Sequence, residues 1–190
     1  MRRMASLAIA PGGKRLYAAY IDSNSQAALA VIDTSNNEVT QNVALSPYIS
    51  APPSVALSPD GTLAYVTHAV GLAIVDTVHG QLLETVAFEV DLTSLAISPD
   101  GKVAYTVSGP GVGIYNNAAA VVIFDLTTYQ IVKEIPFADV VGFSVAFTPD
   151  GAKAYLTGET GPVLIIDTAS EKIEGTLPIN NSLGITIAAH

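Results

Sequence analysis

The chain has no cysteine, few charges and no long apolar run, and each shortage closes off a class of function. Without cysteine there is no disulfide, no thiolate metal site, no covalently attached haem and no thiol nucleophile. Three histidines, one of them the terminal His190, are too few for a His-rich metal centre. Eight basic residues stand against 17 acidic ones, for a net charge of −9. They are spread thinly, so the clustered Lys and Arg that grip a phosphate backbone are missing and no nucleic-acid partner is expected. The longest apolar run extends only from Ala118 to Phe124. A spanning helix needs roughly 20 apolar residues, so no membrane span is expected. No Gly-x-Ser-x-Gly elbow is present, and no carboxylate pair stands apart from turn residues. Catalytic residues are therefore unknown, no cofactor or metal is expected, and the reading leans away from an enzyme.

What is present is apolar and repetitive. Charged residues are 13% and apolar residues 49% of the chain, the reverse of a disordered composition. Mean hydropathy is positive without a membrane segment, which implies strands buried on both faces. The surplus of acid then serves to keep an apolar chain in solution. Met1-Arg-Arg-Met4 is basic, but the apolar stretch Ala5 to Ala10 is cut by Pro11-Gly-Gly13. That is too early for the apolar region of a signal peptide, about 7–15 residues long. Ser6 already opens the first repeat, so the chain reads as starting at a repeat boundary, as a trimmed or partial protein would.

One segment recurs four times: Ser6 to Tyr17, Ser54 to Tyr65, Ser94 to Tyr105 and Ser144 to Tyr155. Each is followed by a second match: Val31-Ile-Asp-Thr34, Ile74-Val-Asp-Thr77, Ile123-Phe-Asp-Leu126 and Leu164-Ile-Ile-Asp-Thr168. A motif pair at intervals of about 40–50 residues marks a repeat array. In the second repeat, Val55 and Leu57 alternate with Ser54, Ala56 and Ser58, the period of a strand. Pro59-Asp60-Gly61 supplies a fixed φ, a local acceptor and a positive-φ position, the chemistry of a tight hairpin turn. Strands over 63–67, 73–75 and 82–88 complete a four-stranded antiparallel meander. Large residues on one side of the first strand and alanine on the other (Ala8, Ala56, Ala96, Ala146) suit sheets that converge in a wedge. The fold class is therefore all-β, a β-propeller of four-stranded antiparallel blades, about four of them present. Blade spans are 6–53, 54–93, 94–143 and 144–183, with 184–190 as the first strand of a further blade.

The residues Ser58-Pro-Asp-Gly61, Tyr65-Val-Thr-His68 and Val75-Asp-Thr77, with counterparts Thr148-Pro-Asp-Gly151, Tyr155-Leu-Thr157 and Ile166-Asp-Thr168, resemble the YVTN-type β-propeller repeat. That repeat occurs in surface-layer proteins, lactonase-like proteins and several dehydrogenase subunits. The Asn of the pattern is lost throughout, replaced by Tyr20, His68, Ser108 and Gly158. The resemblance implies a full ring of about seven blades. The chain is accordingly expected to be part of a larger propeller whose open blade faces need a protein partner or self-association, two half-rings closing into one being a concrete case. The alternative is a compact four-bladed ring.

Function is expected on loops. The intervals Tyr17 to Asp33 and Tyr105 to Asp125 are longer than their counterparts, which puts insertions between the second and third strands at 21–28 and 108–119. A further long connection covers 46–53. These share one end of the meander, opposite the Pro-Asp-Gly turns. Exposed binding candidates at that end are Tyr20, Asp22, Tyr48, His68, Tyr115, Asn116, Asn117 and Glu159. The repeat tyrosines are read as core, and the repeat aspartates as turn formers. The functional expectation is a non-enzymatic binding or structural module, outside the cytoplasm, presenting a loop-rich face to a partner. The alternative is part of a propeller enzyme, a lactonase-like hydrolase or an amine dehydrogenase subunit.

Overall fold

The computed structural model describes residues 3–46, 53–68, 71–87, 92–108, 119–137, 142–158 and 160–179. Among them are sixteen strands and no helix. The first sheet contains β1 (Arg3–Ile9), β2 (Arg15–Ile21), β3 (Ala27–Asp33) and β4 (Glu38–Ser46). The second contains β5 (Val55–Leu57), β6 (Leu63–His68), β7 (Gly71–Asp76) and β8 (Gln81–Ala87). The third contains β9 (Leu92–Ile97), β10 (Val103–Ser108), β11 (Ala119–Asp125) and β12 (Gln130–Phe137). The fourth contains β13 (Gly142–Phe147), β14 (Lys153–Gly158), β15 (Val163–Asp167) and β16 (Lys172–Leu177). Each sheet runs in chain order, so each repeat is one meander. The expected further strand at 184–190 lies outside the described residues. The chain forms two compact units, Met1–Leu92 and Thr93–His190.

Inside each unit the sheets pack as the alternation of large and small residues requires. In the first unit, Tyr17, Ala19, Leu29 and Val31 of the first sheet meet Val55, Val66, Ala73 and Val75 of the second. In the second unit, Tyr105, Val107, Val121 and Ile123 meet Val145, Phe147, Leu156 and Ile166. The small face of a first strand thus looks toward the following sheet, and its large face looks toward the preceding one. A polar contact repeats with the packing. The Val55 N–H donates to the Ser6 hydroxyl oxygen at 3.2 Å, and the Val145 N–H to the Ser94 hydroxyl oxygen at 3.2 Å. The repeat serine is therefore a latch between neighbouring sheets.

In three of the four sheets a threonine hydroxyl stitches the two tight turns together; the third sheet has Leu126 at that position. The hydroxyls of Thr34, Thr77 and Thr168 donate to the carbonyl oxygens of Gly13, Gly61 and Gly151 at 2.7, 2.6 and 2.6 Å. This explains why the Pro-Asp-Gly and Asp-Thr motifs recur together: they are two sides of one knot. Neighbouring turns also stack. A Cβ at Gly61 would lie 2.8 Å from the Pro11 ring, and one at Gly151 3.4 Å from the Pro99 ring. The last residue of each Asp-led turn is left-handed: Asn37, Gly80, Tyr129 and Glu171, with φ of 60, 65, 55 and 51°.

The repeat aspartates hold these turns. Asp60, Asp100 and Asp150 accept from the hydroxyls of Ser58, Ser98 and Thr148 and from the N–H groups of Thr62, Lys102 and Ala152. Asp33, Asp76, Asp125 and Asp167 accept from N–H groups of their own turns. These bonds favour the ionised form, so all seven carboxyls are held below the ordinary aspartate value. A depressed carboxyl stabilises the fold above its unfolded value, 3.8, and loses that contribution as pH falls through the folded one. Glu134 runs the other way. Burial raises its carboxyl, and neither oxygen has a hydrogen-bond partner among the described residues. Its contribution is complete below the unfolded value of 4.5 and is lost as pH rises through the folded one. The wild-type chain should therefore lose stability steeply below about pH 4. Glu134→Gln should raise the urea midpoint at pH 7 while leaving it nearly unchanged at pH 4. Urea titrations across that range check both expectations.

Candidate functional site

The sheet order places the β1–β2 and β3–β4 turns at one end of each meander. The β2–β3 connection and the links between sheets lie at the other. At this second end, Tyr48, Tyr115, Asn116, Asn117 and Glu159 lie outside the described residues. Asp22 is at the start of the β2–β3 loop, where its carboxylate accepts from the N–H groups of Asn24 and Gln26 at 2.8 and 2.9 Å. It shapes that loop, together with Ser25 at φ 61°.

Two candidates differ from the expected exposure. Tyr20 is 7% exposed. It pairs with Ala28 inside the ladder, and its ring lies over Ala18, Ala28 and Ala30, small residues that leave room for it. Its hydroxyl donates to Asn42 Oδ1 at 3.1 Å. His68 is 1% exposed. It pairs with Gly71, so the hairpin closes within two residues and keeps the imidazole in the strand. Burial disfavours its charged form and lowers its pKa. Insertions are visible in a sequence; the tightness of the β6–β7 connection and the alanine bed under Tyr20 are tertiary facts.

The opposite, tight-turn end of the second unit holds a pocket of about 260 Å3 between the third and fourth sheets. Asp100, Asp150 and Glu171 rim it, with Tyr105, Phe147 and Thr168 among its walls. The Tyr105 and Phe147 rings lie 4.6 Å apart, tilted by 60°. Tyr105 is 1% exposed. Burial, then the charges of Glu171 and Asp167, push its phenol up to about 12, so it stays protonated. In the sequence Asp100 and Asp150 read as turn formers and Tyr105 as core. The signal that could have found the pocket is the repeat position just after each turn, held by Arg15, Leu63, Val103 and Lys153. Among the described residues, no three His, Asp or Glu side chains are placed to hold a metal ion. No helix among them is long and apolar enough to cross a membrane.

No family model and no curated protein matches the chain. Among solved structures it is similar to a chain of hydrazine synthase from Kuenenia stuttgartiensis, with a TM-score of 0.76 and 24% identity. The match covers 93% of this chain and 49% of the other, so the chain spans about half the length of that protein. At this identity the likeness speaks for fold alone, and 1157 solved chains share it, as befits a scaffold reused for many tasks. Four antiparallel four-stranded sheets and this match establish an all-β chain with the blades of a β-propeller.

Proposed function

We propose that the chain is a non-enzymatic binding or structural module of the YVTN-type propeller family, engaging a protein partner or another copy through its first sheet. One observation carries the reading. Leu7 and Ile9 on β1 are 55% and 62% exposed, whereas Val55 and Val145, at the repeat position of Leu7, are 5% and 4% exposed. Those two valines are covered by the preceding sheet of their own unit. Leu7 and Ile9 have the chemistry of residues that a further sheet covers. They do not stand alone: the register aligns Ile9, Leu16, Ile32 and Val39 in a row across all four strands. An apolar stripe of this breadth on a single sheet face favours association.

Leu7→Glu with Ile9→Glu tests the reading. In sedimentation velocity the wild-type chain should show a concentration-dependent larger species, and the double variant should not. Both positions are more than half exposed, so the unfolding midpoint should change little. A wild-type chain that stays monomeric at about 100 µM and retains no protein from its source would overturn the proposal. An extracytoplasmic setting belongs to the same proposal and is tested by locating the protein in fractionated cells. The propeller-enzyme reading has support only from the likeness to hydrazine synthase, and fold does not transfer chemistry.

A further inference from the structure

The two units carry the same cleft with opposite contents. In the first, Arg15 reaches from β2 across to the second sheet, and its guanidinium donates to the Thr77 carbonyl oxygen at 2.9 Å. In the second unit the corresponding residue is Val103, which packs against the core. The pocket of about 260 Å3 opens beside it. Two of the three rim acids vary in the reverse sense. Asp100 and Glu171 rim the pocket of the second unit, and their counterparts in the first unit are Gly12 and Gly80, whereas Asp150 keeps its counterpart, Asp60. Where those two acids are missing, the chain supplies its own cation. Where they are present, it supplies none at the position of Arg15.

We infer that this pocket binds a guanidinium group, carried by a free small molecule or by an arginine of a partner protein. Thr168 is the counterpart of Thr77 and lines the pocket, so its carbonyl oxygen is the acceptor that Arg15 finds in the first unit. Asp150 commits Oδ1 to the Thr148 hydroxyl and the Ala152 N–H, at 2.5 and 3.0 Å, which leaves Oδ2 open among the described residues. Asp100 and Glu171 are each accompanied by a lysine, Lys102 at 3.5 Å and Lys133 at 2.9 Å. Asp150 forms no ion pair among the described residues, although the Lys153 charge acts on it from further away.

Tyr105 is the independent observation. It is 1% exposed, it lines the pocket, and its hydroxyl makes no hydrogen bond among the described residues. That oxygen is not among the fully buried ones without a partner, so it keeps access to the pocket, where an incoming donor can bond it. A planar guanidinium offers five donors in a fixed fork. It can reach the Thr168 carbonyl, Asp150 Oδ2 and the Tyr105 oxygen, with an aromatic face beside it. The pocket is smaller than the usual range of about 300–1,000 Å3 for ligand sites, which suits a head group and not a whole cofactor.

Isothermal titration with agmatine, with N-(4-aminobutyl)urea, which keeps the amine but has no guanidinium charge, and with a blocked Gly-Arg-Gly peptide tests this. Agmatine and the peptide should bind, and the urea should not. The tighter of the two binders identifies the source, free molecule or partner arginine. Asp150→Asn, which keeps an acceptor for the turn, should weaken agmatine about tenfold, the loss of one charged bond. Tyr105→Phe should weaken it without moving the urea midpoint. Val103→Arg supplies the arm of Arg15 and should abolish binding. The inference is overturned if N-(4-aminobutyl)urea binds as well as agmatine, if agmatine shows no heat up to about 10 mM, or if folded Val103→Arg still binds it. Should Val103→Arg not fold, unchanged agmatine affinity in Asp150→Asn overturns it equally.

Discussion

Replacing Gly71 by alanine should cost about 4 kcal/mol or more, enough to unfold much of the population of a marginally stable chain. Gly71 opens β7 at φ 146°, a conformation that residues with a side chain rarely adopt. An added Cβ would lie 1.9 Å from the Val86 carbonyl oxygen and 2.9 Å from its carbon. Both are backbone atoms of β8, so relief requires moving the strand and not a flexible side chain. Gly71 also pairs with His68 and with Ala87, so a shift is felt on both sides of the ladder. Gly175→Ala is the control. It lies in β16 without a positive φ, and its Cβ would meet only Ile165 Cδ1 at 4.0 Å. There the loss of glycine's freedom in the unfolded chain should leave stability unchanged or raised by a few tenths of a kcal/mol. Urea denaturation of both variants, followed by circular dichroism, measures the contrast. Equal midpoints would show that the β7–β8 pair tolerates displacement.

Tyr105→Ala should cost about 3–5 kcal/mol, the range for deleting a buried aromatic side chain. The ring is in the core cluster of the second unit, against Phe147 and beside Val121 and Leu164. Truncation leaves a cavity between two sheets whose backbones are fixed by their own ladders, so little collapse can fill it. Tyr105→Phe keeps the ring and should leave stability within about 0.5 kcal/mol. The same truncation at Tyr155, also a repeat tyrosine, should cost less, because that residue is only half-buried. Equal costs at both positions in urea melts would mean that the repeat position, and not its burial, decides the energy.

The meanders were legible because their determinants are local. Period-two alternation over 54–58 and the Pro59-Asp60-Gly61 turn write the hairpin into adjacent residues, and the structure returns it with Asp60 bonded as such a turn requires. The large and small sides of the first strands were legible for the same reason. Exposure at the strand ends was not. Whether Tyr20 points at water depends on alanines of another strand, and whether His68 lies in a loop depends on how closely β7 returns. The pocket was less legible still. It comes from a difference between two repeats, Arg15 against Val103, at a position where neither residue is unusual in itself. Reading it needs the knowledge that both positions overlook a cleft.

The serine latch also gives the joint inside each unit a direction. An N–H on the incoming strand meets a hydroxyl oxygen on the sheet before it, and the Ser6–Val55 and Ser94–Val145 contacts run the same way. Two incoming faces brought together would set N–H against N–H with no acceptor between them, whereas a serine hydroxyl can accept. The two sheets of a unit are therefore not interchangeable: exchanging their order would turn the N–H outward and leave the hydroxyl without that donor.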